Sequence, residues 1–214
     1  MKLDFRRNTI IQNTTTFLDD NPILYAYEDT VLPPGREHYK LLASIGCQLS
    51  NCKILEFGTH KGNSTIALNY GNQRHQNGNK ITTYDIAYML PDNIFKNCDD
   101  ICFKIENLFD KQTRELNKEH ILSADFIMVD IDPHEGLLEY DMYEWLNANS
   151  YKGVLLFDDI HLKEGHMGVY SGNSMQKFWD KVDNKHKLDI TNVGHWSGTG
   201  IVCFDMSLHN FVID

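Results

Sequence analysis

Two apolar runs end in acids: Phe126-Ile127-Met128-Val129 runs into Asp130-Ile131-Asp132-Pro133-His134, and Val154-Leu155-Leu156-Phe157 into Asp158-Asp159-Ile160-His161. If the runs are neighbouring parallel strands, Asp130, Asp132, Asp158 and Asp159 share one small volume, where like charges repel unless a cation sits among them. Three carboxylates completed by water make a hard oxygen site suited to Mg²⁺ or Mn²⁺. In a straight strand Asp158 and Asp159 would point to opposite faces, so both reach one ion only if the chain leaves the sheet there. His134 and His161 flank the same place, and either could accept a proton near neutral pH. The competing reading of these acids is that they cap helices or close loop turns.

A second constellation is Glu56-Phe57-Gly58-Thr59-His60-Lys61-Gly62-Asn63-Ser64-Thr65, a strand entering a Gly-x-x-x-Gly turn and then a helix. Glycines let the backbone turn with positive φ and let a ligand approach closely, and amides at the helix start attract a carboxylate or phosphate. The turn lacks both the third glycine of a dinucleotide fingerprint and the Gly-Lys-Ser of a phosphate-cradling loop. Thr83-Tyr84-Asp85-Ile86 follows, and Asp85, 27 residues after Gly58, closes the next strand. A carboxylate at the end of that strand can accept both hydroxyls of a ribose.

These residues need a sheet to bring them together. From Lys53 onward short β-rich runs at 54–57, 81–84, 101–105, 126–129 and 154–157 alternate with helix-length segments, which is the βαβ pattern of a parallel sheet. The continuous apolar runs at 126–129 and 154–157 suit central strands covered on both faces. Leu138, Met142, Trp145 and Leu146 recur at helical spacing and predict a face packed on the sheet. Arg36 to Leu49 and Ser174 to Asp183 read as helices, and runs near 188–193 and 201–204, joined through Gly198-Thr199-Gly200, read as an antiparallel hairpin pair. Tyr140, Tyr143, Trp179 and Trp196 are expected at the mouth of the site, and Cys98 and Cys102 on one helix face.

Together, Glu56-x-Gly58-x-x-x-Gly62-x-Ser64, Asp85, Asp130-x-Asp132 and Asp158-Asp159 resemble the class I S-adenosylmethionine-dependent methyltransferases. Within them the chain looks most like metal-assisted O-methyltransferases of the catechol, macrocin- and novobiocin-type sugar, and cephalosporin hydroxylase-like groups, over roughly residues 36–205. The resemblance implies a Rossmann-like α/β fold: a largely parallel seven-stranded sheet with an antiparallel C-terminal edge strand and helices on both faces. The first residues carry no clear pattern and are expected to form an N-terminal extension or lid (1–35), alternatively an oligomer contact, ahead of a methyltransferase domain (36–214). The resemblance also implies that Glu56, Gly58, Thr59, Gly62, Asn63 and Ser64 hold the methionine portion of the cofactor, that Asp85 takes the ribose hydroxyls, that Asn107 lies near the adenine, and that Ile86 is a further cofactor contact. Asp130 borders the cofactor and, with Asp158 and Asp159, matches the metal ligands. Catechol-type enzymes carry a Lys three positions after the first metal Asp, where this chain has Pro133. The proton acceptor is therefore sought among His134, His161 and Asp132, with His134 first because the fixed φ of Pro133 stiffens the turn that carries it. The expected reaction is methyl transfer to a hydroxyl of a sugar or glycan, with a catechol-like phenol as the alternative acceptor and a catalytically silent cofactor-binding module as the other reading.

Composition narrows the remaining classes. Twenty basic against thirty acidic side chains give a net charge of −10, which repels a polyphosphate backbone and disfavours nucleic acid as a partner. The 214 residues, 42% hydrophobic, are enough for one domain with its own core. No apolar run approaches the ~18 residues of a membrane span, and the N-terminus lacks an apolar signal core. Five cysteines, odd in number and without paired zinc spacing, read as reduced thiols of a cytoplasmic protein. A small-molecule or glycan substrate and a possible homo-oligomer complete the expectation.

Overall fold

The structure is a computed structural model; it describes residues 1–24, 34–165, 172–183 and 186–213, with the side chains of 34–37 left aside. Nine strands and nine α-helices are seen among these. The strands are β1 (Lys2–Asp4), β2 (Lys53–Phe57), β3 (Lys80–Asp85), β4 (Ile101–Ile105), β5 (Phe126–Val129), β6 (Val154–Asp158), β7 (Lys187–Asp189), β8 (Thr199–Cys203) and β9 (Asn210–Val212). The helices are α1 (Arg7–Asn13), α2 (Phe17–Asp20), α3 (Pro34–Gln48), α4 (Asn63–Leu68), α5 (Tyr70–His75), α6 (Lys111–Leu116), α7 (Lys118–Leu122), α8 (Leu137–Ala148) and α9 (Met175–Lys181).

Seven strands form one sheet in the order β4-β3-β2-β5-β6-β8-β7. β2 lies between β3 and β5 and pairs with both in parallel, Phe57 opposite Tyr84 on one side and Val129 on the other. The chain therefore builds outward from β2 in both directions, and the crevice beyond the carboxyl ends of β2 and β5 is the topological switch point where open α/β sheets bind ligands. Every residue of β5 and β6 is buried, as continuous apolar strands with both faces covered require.

Two apolar clusters cover the sheet. One joins Ile54, Ile81, Met128 and Leu156 to Leu41, Leu42 and Ile45 of α3, and the other joins Leu55, Ile127 and Leu155 to Met142, Leu146 and Phe178. Leu3, Phe5, Ile10, Phe17, Leu18 and Leu24 belong to the first cluster, and β1 pairs in parallel with β9. The described part of the expected extension or lid thus packs into the main core, while residues 25–33 lie outside the described residues.

The expected antiparallel edge is present: β8 lies between β6 and β7 and runs antiparallel to both, with Leu156 opposite Ile201. Three other expectations are corrected. The segment before β8 is a strand only over Lys187–Asp189; Thr191–Val193 forms a 3₁₀ turn, so β7 and β8 are joined by a loop and not a tight hairpin. The buried face of α8 is Glu139, Met142, Tyr143 and Leu146, because the helix starts after Gly136 at φ +73 and this phase leaves Leu138 half-exposed and Trp145 partly so. Cys102 lies in β4 and shares no helix with Cys98, and none of the five cysteines forms a disulfide. No described helix is long and apolar enough to cross a membrane.

Candidate active site

β2 runs into the glycine turn with Gly58 at φ +99 and Gly62 at φ +81, conformations that only glycine adopts without strain. A Cβ at Gly58 would lie 1.6 Å from the carbonyl oxygen of Asp130, so the β2 and β5 termini approach each other as closely as backbone allows. The amides of Gly58 and Thr59 donate to the Tyr84 carbonyl (2.9 and 3.2 Å), which ties the turn to the end of β3.

Two cavities open over these strand ends. One, about 250 Å³, is lined by His38, Tyr39, Thr59, Asn63, Ser64 and His134 among others; the second, about 280 Å³, by Tyr84, Asp85, Ile86, Asn107, Leu108 and Phe109 among others. Gly58, His60, Asp130, Ile131 and Asp132 line both, making them two arms of one cleft. Of the expected cofactor residues, Gly58, Thr59, Asn63, Ser64, Asp85, Ile86, Asn107 and Asp130 line the cleft, and Gly62 caps α4 just behind it. Asp85 accepts from the amides of His60 (2.7 Å) and Ala87 (3.2 Å), so its carboxylate is held in place while lone pairs remain for a ligand. Asn107 accepts from the Phe109 amide (3.0 Å).

Glu56 is not in the lining. It is fully buried, its Oε2 accepting from the hydroxyls of Thr65 and Thr83 (2.6 Å for Thr83), and its Oε1 has no partner. Burial pushes its carboxyl above the ordinary range despite these donors.

The acids and histidines form two groups of three in which one ligand atom from each residue lies within 4.8 Å of the others: Asp130, His134 and Asp159, and His38, Asp158 and His195. The chain does leave the sheet at Asp159, which sits at φ +63 just after β6 ends at Asp158, and this turn sends the two carboxylates into different groups. The expected trio of Asp130, Asp158 and Asp159 is therefore not the set that assembles. His134 Nδ1 stands 3.1 Å from Asp159 Oδ2 and its Nε2 3.2 Å from Asp132 Oδ1, the latter on a side chain 91% exposed. Across Asp159, His195 Nδ1 lies 3.1 Å from Asp158 Oδ2 and 3.3 Å from Asp159 Oδ1.

Burial first, then the Asp158 and Asp159 carboxylates, push Asp130 well above the ordinary carboxylate range. Burial opposes charge on Asp158 too, but His38 and His195 outweigh it and hold Asp158 low. Burial also disfavours a charged His195, yet the two carboxylates beside it raise it to about 10. Burial pushes His38 down.

Sequence reasoning missed His38, His195 and Glu139, which carry no motif: the first two converge on Asp158 only through the packing of α3 and the loop before β8. His161 pairs with Asp189 at 2.8 Å and lines neither arm of the cleft. The expected aromatic mouth is also corrected. Tyr143 and Trp179 are buried in the core, Trp196 is exposed beside His195, and Tyr140 packs on Phe178; the rings that line the cleft are Tyr39, Phe57, Tyr84 and Phe109.

Residues 55–160, which carry the glycine turn, Asp85 and both acidic strand ends, match the family model described as methyltransferase domain. Over these residues the chain is a methyltransferase domain. Solved structures share its fold. An O-methyltransferase from Bacillus cereus in complex with SAH is 18% identical, with 92% of this chain and 89% of that one aligned at a TM-score of 0.52. The SAH-bound methyltransferase of Podospora anserina is 15% identical, covering 89% and 93% at 0.53. The cofactor-bound Rv0187 from MTB is 14% identical, again covering 89% and 93%, at 0.58. No curated protein sequence matches the chain. In such a methyltransferase domain, the cleft at the switch point is where the fold places ligands.

Proposed function

We propose that this methyltransferase moves a methyl group from S-adenosylmethionine to a hydroxyl of a sugar or glycan. The observation that carries the reading is the two-armed cleft across Gly58, with a fixed carboxylate in one arm and the His134 imidazole in the other. The cleft suits the cofactor on its own terms: Gly58 leaves room that a Cβ would fill, and Asp85 is immobilised with acceptor capacity to spare.

When bound, the cofactor supplies an electrophilic methyl carbon on a sulfonium. In the proposal Asp85 accepts the ribose hydroxyls, while Ile86, Leu108 and Phe109 with Asn107 flank the adenine. Thr59, Asn63 and Ser64 receive the methionine end at the start of α4. The acceptor oxygen must then be held ~3 to 3.5 Å from the methyl carbon, and that positioning supplies much of the rate.

His134 is the proton acceptor in this reading. Asp159 faces its Nδ1 and fixes the ring, leaving Nε2 toward Asp132 and the cleft. Such an oriented imidazole matches the base-and-orienter arrangement of nucleophile activation. Asp132, at the junction of the two arms, is placed to hold an acceptor hydroxyl. The polar lining of the His134 arm, with His38, His60, Lys61, Asn63 and Asp132, favours a polyhydroxyl acceptor over a flat phenol.

The Mg²⁺ or Mn²⁺ expected at Asp130, Asp158 and Asp159 does not suit those residues as built, because Asp158 turns away to two imidazoles. No step is routed through such an ion. The test is methyl transfer from labelled S-adenosylmethionine to matched sugar and catechol acceptors. Transfer to sugar hydroxyls is expected; transfer only to catechols would redirect the acceptor, and binding of cofactor without transfer to either would leave the silent module.

A further inference from the structure

We propose that His38, Asp158 and His195 form a binding site for a first-row divalent transition-metal ion with imidazole ligands. Three elements deliver them to one point: α3 carries His38, the end of β6 carries Asp158, and the loop before β8 carries His195. One ligand atom from each lies within 4.8 Å of the other two.

Two buried polar atoms face each other there without hydrogen bonds. His38 and Asp158 are 5% and 4% exposed, and His38 Nδ1 and Asp158 Oδ1 each lack a partner. They stand 3.7 Å apart, too far for a hydrogen bond. Two ligands of one tetrahedral zinc, at ordinary zinc–nitrogen and zinc–oxygen lengths, lie about 3.4 Å apart. Native interiors leave few such atoms unsatisfied, and an ion between them answers both at once. The His195 ring completes the set, its centroid 5.1 Å from that of His38.

The surroundings hold His195 in place. Its backbone amide donates to Thr199 Oγ1 (2.9 Å), its Nδ1 lies 2.7 Å from Ser197 Oγ, and the Ser197 hydroxyl donates to Asp159. Metal-ligating histidines are characteristically oriented by such outer partners.

The donor set selects the ion. Two imidazoles and one carboxylate suit zinc, iron, cobalt or manganese; Mg²⁺ prefers oxygen ligands and keeps several waters, for which a pocket this buried is ill suited. The neighbouring group of Asp130, His134 and Asp159 lacks the same argument, because it contributes no buried side-chain atom without a partner.

The site does not depend on methyl transfer, and the test keeps the two apart. Chelator-stripped full-length protein without cofactor is titrated with Zn²⁺ by calorimetry, then with Co²⁺ while its visible absorption is followed. Binding of Zn²⁺ is expected, weakened at least ~100-fold by His38→Gln and by His195→Gln, with loss of the Co²⁺ band, while Asp130→Asn stays near wild type. Absence of Zn²⁺ binding in the wild type, unchanged binding in both histidine variants, or an equal loss in Asp130→Asn overturns the assignment. If either histidine variant loses its native circular dichroism, electron spin-echo modulation of Mn²⁺ bound to the wild type decides. Imidazole-nitrogen modulation that persists in His134→Gln supports the site, and its absence overturns it. Binding of S-adenosylhomocysteine, measured separately, is untouched by either result.

Discussion

At the scale of single residues, the proposed chemistry separates into groups that bind and groups that move a proton. Asp85 offers two charge-assisted hydrogen bonds to a ribose, each worth about 1.5 to 3 kcal/mol. Asp85→Ala should therefore weaken S-adenosylhomocysteine binding at least ~10-fold, the effect of 1.4 kcal/mol, with the loss read by calorimetry. His134→Gln should instead lower turnover by about 10²- to 10⁴-fold while binding stays near wild type, since a general base contributes only as the proton leaves. If His134→Gln keeps its rate while Asp132→Asn or His161→Gln loses it, the base is elsewhere. Glu139 makes a different prediction. It is buried with both oxygens unpartnered, and burial pushes its carboxyl up to about 8. The unfolded chain gives up this proton near pH 4.5 and the folded protein only near 8, so stability falls across that interval as pH rises. Glu139→Gln should melt like the wild type near pH 4 and be more stable by up to a few kcal/mol above pH 8. A difference independent of pH would show that Glu139 does not titrate this way.

At the scale of elements, the site depends on strand ends that nearly touch. Gly58 at φ +99 leaves no room for a side chain against the Asp130 carbonyl. Gly58→Ala should cost at least ~1 to 3 kcal/mol from backbone strain alone, and chemical denaturation should show it together with lost cofactor binding. A Gly58→Ala variant of wild-type stability would mean that the two strand ends are not held this close. The elements around this turn were legible in the sequence because alternating β-rich and helical segments around a glycine turn leave few arrangements of the sheet. What was not legible is rotational phase. Leu138, Met142, Trp145 and Leu146 look equally apolar, but the left-handed Gly136 sets where α8 begins its turn, and Glu139 faces inward in place of Leu138. Likewise, adjacent Asp158 and Asp159 in sequence imply one shared ligand site, and a single left-handed residue at the end of β6 separates them.

At the scale of the whole molecule, the first 24 residues complete the core that holds the sheet. Leu3 is fully buried, and β1 joins β9 so that the two ends of the chain lie side by side. Leu3→Ala should cost about 2 to 5 kcal/mol, as for other buried leucines, and chemical denaturation would measure it. A loss well under 1 kcal/mol would be expected of a detachable lid instead. The sequence could not show this, because three-residue strands have too little pattern to reveal a partner two hundred residues away. The net charge of −10 belongs to the same scale and favours an uncharged or cationic acceptor approaching the cleft over a polyanion. Everything in the account rests on the two-armed cleft being the cofactor site. Its most direct test is calorimetric titration of wild-type protein and Asp85→Ala with S-adenosylhomocysteine: the account predicts one-to-one binding that Asp85→Ala weakens at least ~10-fold, and no binding to the wild type, or equal binding to both, would contradict it.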